Sequence, residues 1–232
     1  MRRSRLIFVC ALLLQGFNSC GPENVMTGND GSELRFSPVF HAGASSGGLV
    51  ENMELTGVEG ISELDAITGA SQMAFTLGLH SEIEWKDHAV ETGLDYLAFN
   101  QAVDYNLPSF ATIGKRDFRF HQLRVPLSYN FRFLKDSAGF AKLTLRAGLS
   151  VGVSISKDIS DSGNPPAYTF TNFDYGPMLG VSFLPIQIRE KYRLGISLEA
   201  YRGSRIYDDA FHKAEGMGGQ SFMKFGLAIR PF

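Results

Sequence analysis

Apolar and polar residues alternate with a period of two along much of the chain. Between Ala141 and Ser156, Leu143, Leu145, Ala147, Leu149, Val151, Val153 and Ile155 alternate with Lys142, Thr144, Arg146, Gly148, Ser150, Gly152 and Ser154. Successive strand side chains point to opposite faces, so this run predicts a strand with one apolar and one polar face. Met73 to Trp85, Phe118 to Phe133 and Asn172 to Leu184 carry the same pattern. Leu34 to Ala44, Val90 to Asn100, Tyr192 to Arg202 and Phe222 to Phe232 carry it more weakly. Eight strands are predicted, an even count, each near the roughly 9–11 residues that cross a tilted barrel wall.

The connections sharpen this picture. Lys86-Asp87-His88, Lys135 to Gly139 and Gln187 to Lys191 are short, whereas Ser45 to Gln72, Gln101 to Asp117, Lys157 to Ala167 and Gly203 to Ser221 are long. Short and long alternate strictly, as in bacterial outer-membrane barrels with short periplasmic turns and longer outer loops. The expected fold is therefore all-β: an eight-stranded antiparallel up-and-down transmembrane β-barrel over residues 34–232.

A soluble lipocalin-like carrier would alternate in the same way, with its apolar face inward. The polar face decides between them. It holds Glu82, Glu84, Glu91, Asp95, Asp174 and Glu199 with Arg124, Arg132, Lys142, Arg146, Arg193 and Lys224. Nearly balanced charges suit a lumen filled by ion pairs, since eight strands leave an interior just wide enough for side chains. A filled core of this kind argues against an open pore. Trp85, Phe133, Phe183 and Tyr192 lie beside the short turns, where a membrane barrel places its periplasmic aromatic girdle. The Gly-x-Trp signature of lipocalins does not occur near the start of the barrel region.

Composition changes the picture only at the margins. The 232 residues suit one domain, and a net charge of -2 gives no basic excess for nucleic acid. Mean hydropathy is -0.04. Beyond the N-terminus no apolar run reaches the roughly 20 residues of a membrane helix. Arg2, Arg3 and Arg5 followed by Leu6 to Leu14 read as a signal peptide over residues 1–20, with residues 21–33 as a short periplasmic linker. Cys10 falls within the signal, which leaves Cys20 without an internal disulfide partner. Phe17 to Gly21 resembles a bacterial lipobox, which makes Cys20 the lipidation candidate; ordinary cleavage near residue 20 is the alternative.

Two further stretches carry a family resemblance. Phe222 to Phe232 resembles the terminal strand of outer-membrane barrels, with Phe232 as the barrel-assembly signal, although Pro231 puts Phe232 out of phase with Met223, Phe225, Leu227 and Ile229. Phe120 to Phe131 and the following Arg146 to Gly152 are similar to consecutive strands of small porin-like outer-membrane barrels, the group that includes PorT-like and OmpX-like eight-stranded proteins. The resemblance spans about residues 34 to 232 and implies a fold and a cell-outer-membrane location rather than a reaction.

Catalytic candidates are few. His80 and Ser81 are adjacent on a strand and so face opposite sides. His80 is better read as an interior histidine paired with Glu82 or a neighbour. Ser128 and Ser150 have no histidine positioned by sequence. Asp208, Asp209, His212 and Glu215 match no known metal-ligand spacing, and no cofactor or metal is expected. Glu51, Glu54, Glu59, Glu63 and Asp65 among Leu55, Val58, Ile61 and Leu64 suggest a short amphipathic helix in the first long connection. The expected function is a non-enzymatic structural or interaction module of the envelope, with a secretion accessory as one form. Its expected partners are outer-membrane lipid, the barrel-assembly machinery and envelope or secretion-complex proteins, with no nucleic acid. A lipid-modifying barrel enzyme and a lipocalin-like carrier are the alternatives.

Overall fold

The computed structural model describes residues 25–27, 33–49, 66–106, 112–135, 141–188, 192–209 and 219–231. Every regular element among them is a strand. In chain order these are β1 (Val25–Thr27), β2 (Glu33–Gly48), β3 (Ala66–Gln72), β4 (Ala74–Trp85), β5 (His88–Asn106), β6 (Thr112–Lys135), β7 (Ala141–Gly163), β8 (Tyr168–Phe170), β9 (Phe173–Ile188), β10 (Tyr192–Arg205), β11 (Tyr207–Asp209) and β12 (Gly219–Pro231).

Eight of these close into an antiparallel ring. Each of β4, β5, β6, β7, β9, β10 and β12 pairs with the next, and β12 returns to pair with β2, which pairs with β4. Closure removes the sheet edge and satisfies the backbone around the wall, a requirement for any sheet placed in lipid. β1 adds to the start of β2, while β3 continues the line of β4 beyond a break at Met73 and pairs with the far end of β5. At the other end Trp85 pairs with His88 across a two-residue turn, with Lys86 at φ 56°, the left-handed backbone such hairpins need. Pro126 sits in the central strand β6 at a gap in its ladder with β5, and Thr92 donates its hydroxyl to the Pro126 carbonyl at 2.8 Å.

The apolar face is outside. Phe40, Leu77, Leu127, Leu149, Leu179, Ile196 and Leu227, one from each of seven ring strands, are 36–65% exposed, and on β5 the outward Val90, Leu94 and Tyr96 are half-buried. Along β7 the outward apolar positions run from Leu145 to Ile155. That run is about 34 Å of strand, and a tilt of about 40° brings it to about 26 Å, the height of a membrane barrel's apolar band. Charged outward residues bound the band, with Lys86, Asp87 and Lys135 at the short-turn end and Lys115, Asp117, Arg119 and Asp158 at the other.

Three expectations about the connections need correction. The end of Ser45 to Gln72 is strand β3, paired with β5. Gln101 to Asp117 is largely wall, because β5 continues to Asn106 and β6 begins at Thr112. Lys157 to Gly163 likewise belongs to β7. The alternation persists in the last two stretches with its polarity inverted, since their outward face lies above the apolar band. The signal segment, Cys20, the acidic stretch of residues 51–65, Phe232, and His212 with Glu215 lie outside the described residues.

The seam between first and last ring strands depends on a glycine pair, Gly43 opposite Gly226. A Cβ on Gly43 would stand 2.1 Å from the Phe225 carbonyl oxygen and 2.6 Å from the Gly226 Cα. Those are backbone atoms and cannot swing aside. Gly43→Val is expected to destabilise the closed ring by about 3 kcal/mol or more, read as a lower unfolding midpoint in detergent, whereas Ala42→Val on the outward face leaves the midpoint nearly unchanged.

Candidate functional site: a layered, charge-filled lumen

The inward positions form layers stacked along the barrel. Nearest the short turns, β4 contributes Glu82 and Glu84, β6 contributes Arg132, and β12 contributes Arg230. Arg132 forms an ion pair with Glu82 at 2.7 Å and donates to Glu84. Arg230 donates to Glu82 and reaches Glu84 at 3.7 Å. Two arginines and two carboxylates thus tie strands that are not neighbours in the wall. Asn130 joins this layer to the next, donating to Glu82 at 3.1 Å and to Glu91 at 2.7 Å.

The middle layer gathers His41, His80, Glu91, Asp95, Arg146, Glu199 and Lys224. His80 lies between two carboxylates, with Nδ1 2.5 Å from Glu91 and Nε2 3.0 Å from Asp95. The expected partner Glu82 is replaced by these two, which face His80 from β5. Arg146 reaches Glu91 at 3.2 Å, and Lys224 bridges Asp95 at 2.7 Å and Glu199 at 2.6 Å. Above it Arg124 donates to Asp174 at 2.8 Å and stacks over Tyr201 at 3.9 Å, while Tyr201 donates its hydroxyl to Asp174 at 2.8 Å. Removing carboxylates from water costs several kcal/mol each, so these pairs mainly offset desolvation and fix which strand faces which.

Toward the long-loop end the lumen turns apolar. Leu49, Phe99, Val103, Tyr105, Phe118, Phe120, Ile206 and Tyr207 form one buried cluster. The two-stranded β8–β11 sheet lies against it, with the Phe170 ring on Phe120 at 4.8 Å and Tyr207 edge-on to Phe118 at 5.0 Å. Arg116 fastens this plug. It pairs with Asp161 at 2.7 and 2.8 Å, donates to the Tyr207 hydroxyl at 2.6 Å, and lies 4.2 Å over the Tyr168 ring. Burial alone would lower the Arg116 pKa, but Asp161 and Tyr207 raise it above the usual arginine value, so the fastening cation stays charged. The sequence pattern did not single out this plug.

Of the sequence-derived lumen set, Glu82, Glu84, Glu91, Asp95, Arg124, Arg132, Arg146, Asp174, Glu199 and Lys224 meet in these pairs. Arg193 is buried on β10 opposite Arg230. Lys142 is half-buried near the start of β7 and, among the described residues, joins none of them. Sequence reasoning passed over His41, Asn130 and Arg230. On the outside, Trp85 stands edge-on to Tyr129 at 6.5 Å and Phe133 edge-on to Phe131 at 4.5 Å, while Phe183 and Tyr192 are exposed at the same end.

Residue types for a nucleophile relay do meet once. The Ser197 hydroxyl is 3.4 Å from His41 Nδ1, and His41 Nε2 is 3.6 Å from Glu91. The cavity beside them holds about 20 Å³, the room of one water. No acyl chain fits there. Ser128 bonds Asn130 and Ser150 accepts from Arg124, so both hydroxyls serve the lumen network.

No protein-family model matches the chain, and no curated protein does. Among solved structures it is similar to the outer membrane protein OprG from Pseudomonas aeruginosa, at 12% identity over 84% of this chain and 95% of that one, with a TM-score of 0.41.

Within the lumen Glu82 carries two arginines, so Glu82→Gln leaves both short of a counter-charge. A loss of about 3–5 kcal/mol is expected. Breaking the exposed Lys135–Asp87 pair, which water and salt screen, is expected to leave the stability nearly unchanged. Chemical unfolding of the detergent-folded barrel compares the two.

Proposed function

We propose that the protein is a non-enzymatic outer-membrane β-barrel that serves the bacterial envelope as a structural or interaction module. The observation that carries this reading is the inside-out distribution of polarity. A closed ring presents a continuous apolar belt outward and keeps its charges in the lumen. Soluble monomers rarely expose an apolar patch beyond a few hundred Å², and a lipid phase removes the whole belt from water at once. The same distribution opposes the lipocalin-like alternative, whose apolar face would line a cavity.

In this reading the short turns face the periplasm, with Trp85, Phe133, Phe183 and Tyr192 at the lipid interface. The longer connections face outward. The ion-pair layers and the aromatic plug shut the lumen, which leaves the loop end as the working surface for envelope partners, an accessory role in a secretion complex among them. The water-sized cavity beside Ser197 and His41 favours this over lipid modification.

The test is the behaviour of the native protein in envelopes. It is expected to remain in the membrane through an alkaline wash and to migrate differently before and after boiling. Release by the wash with no mobility change overturns the reading. Leu149→Arg, in the middle of the belt, is expected to cost about 2–4 kcal/mol of stability in a bilayer, measured by urea titration of vesicle-inserted protein. An arginine there that proves neutral counts against lipid contact.

A further inference from the structure

We propose that His41, His80 and Glu91 form a lumenal site for a divalent transition-metal ion of the zinc type. One ligand atom from each comes within 4.8 Å of the others, on three consecutive ring strands, β2, β4 and β5. Two imidazoles and a carboxylate are the donor set of zinc sites that keep a fourth position open. Calcium and magnesium prefer oxygen donors, so they fit less well.

Four features separate this cluster from a chance meeting of polar groups. The first is an orphan: His41 Nε2 is buried without a hydrogen-bond partner, at 3.6 Å from Glu91. The second is the outer support, because ligating histidines characteristically engage their other nitrogen elsewhere. His80 Nε2 meets Asp95 at 3.0 Å and His41 Nδ1 meets Ser197 at 3.4 Å, which leaves His80 Nδ1 and His41 Nε2 toward Glu91. Asn130 holds the second Glu91 oxygen at 2.7 Å.

The third feature is space. Gly78 and Gly93 stand opposite His41 and His80 in the sheet. A Cβ on Gly93 would meet the His80 ring at 2.4 Å, and one on Gly78 would lie 3.1 Å from His80 Nε2. The fourth is the neighbouring cavity, lined by His41, Asp95, Ser197 and Lys224 among others and sized for one water, the natural fourth ligand. The His80 Nδ1–Glu91 hydrogen bond at 2.5 Å and the Arg146–Glu91 pair at 3.2 Å are the contacts that a bound ion displaces, and Asp95 and Glu199 remain to balance Arg146 and Lys224. A bound ion pins three wall strands together and stabilises the barrel against unfolding.

The experiment uses tag-free, detergent-folded protein, stripped with a chelator and then titrated with Zn²⁺ and, separately, Co²⁺. The expected result is one metal per chain by elemental mass spectrometry, a raised unfolding temperature, and visible Co²⁺ bands of a nitrogen–oxygen site. His41→Ala and Glu91→Gln are expected to weaken Zn²⁺ binding by at least about tenfold, and Asp95→Asn by about 10–100-fold. His121→Ala, on the outer wall, leaves it unchanged. Each variant is first checked for native mobility before boiling. Failure of the wild-type barrel to retain stoichiometric metal overturns the proposal whatever the variants do. Equal retention by folded His41→Ala overturns it as well.

Discussion

Charges placed inside a narrow ring have to find one another, and most of this structure depends on that constraint. Eight strands leave a lumen too small for bulk water. Among the described residues six carboxylates line its charged layers, Glu82, Glu84, Glu91, Asp95, Asp174 and Glu199, and each meets a cation within the ring. The partners come from strands far apart around the wall: β4 with β12 through Arg230, β5 with β12 through Lys224, β6 with β9 through Arg124. A slip of one residue in any strand would turn its charges toward the outside and its apolar residues into the lumen. The ion pairs therefore contribute mainly register and closure rather than net stability.

The charges end where the lumen meets the long-loop end, and aromatic packing takes over. Phe99, Phe118, Phe120 and Tyr207 fill the ring there, and Arg116 ties the small β8–β11 sheet over them. Polarity reverses across the wall at the same height. Below, apolar residues face out and charges face in; above, Lys115, Asp117 and Arg119 face out and phenylalanines face in. One strand, β6, contains both regimes.

That reversal explains what the sequence discloses and what it hides. The lower half of β7 is legible because apolar and polar residues alternate there without exception. The upper ends of β5 and β6, Gln101 to Asn106 and Thr112 to Asp117, read as a loop, because Asp104, Lys115 and Asp117 look like connection residues unless the outside at that height is water. β2 is faint for another reason. Its inward positions include Ser37, Gly43 and Ser45, and its outward ones include Pro38, Ala42 and Ala44, so the contrast between faces is small. The cluster of His41, His80 and Glu91 has no signature at all, since three strands contribute one residue each and only the register brings them together.

Burial of the outward belt in the hydrocarbon of a bilayer is the condition on which the whole arrangement rests. Trp85 is the one tryptophan of the chain, so Trp85→Phe combined with Leu149→Trp places a single fluorophore in the middle of the belt. In vesicles of lipids brominated at different depths, bromines near the bilayer centre should quench it most strongly, and aqueous iodide should have little effect. Strong quenching by iodide with none from the lipid bromines would contradict the account and place the apolar face elsewhere.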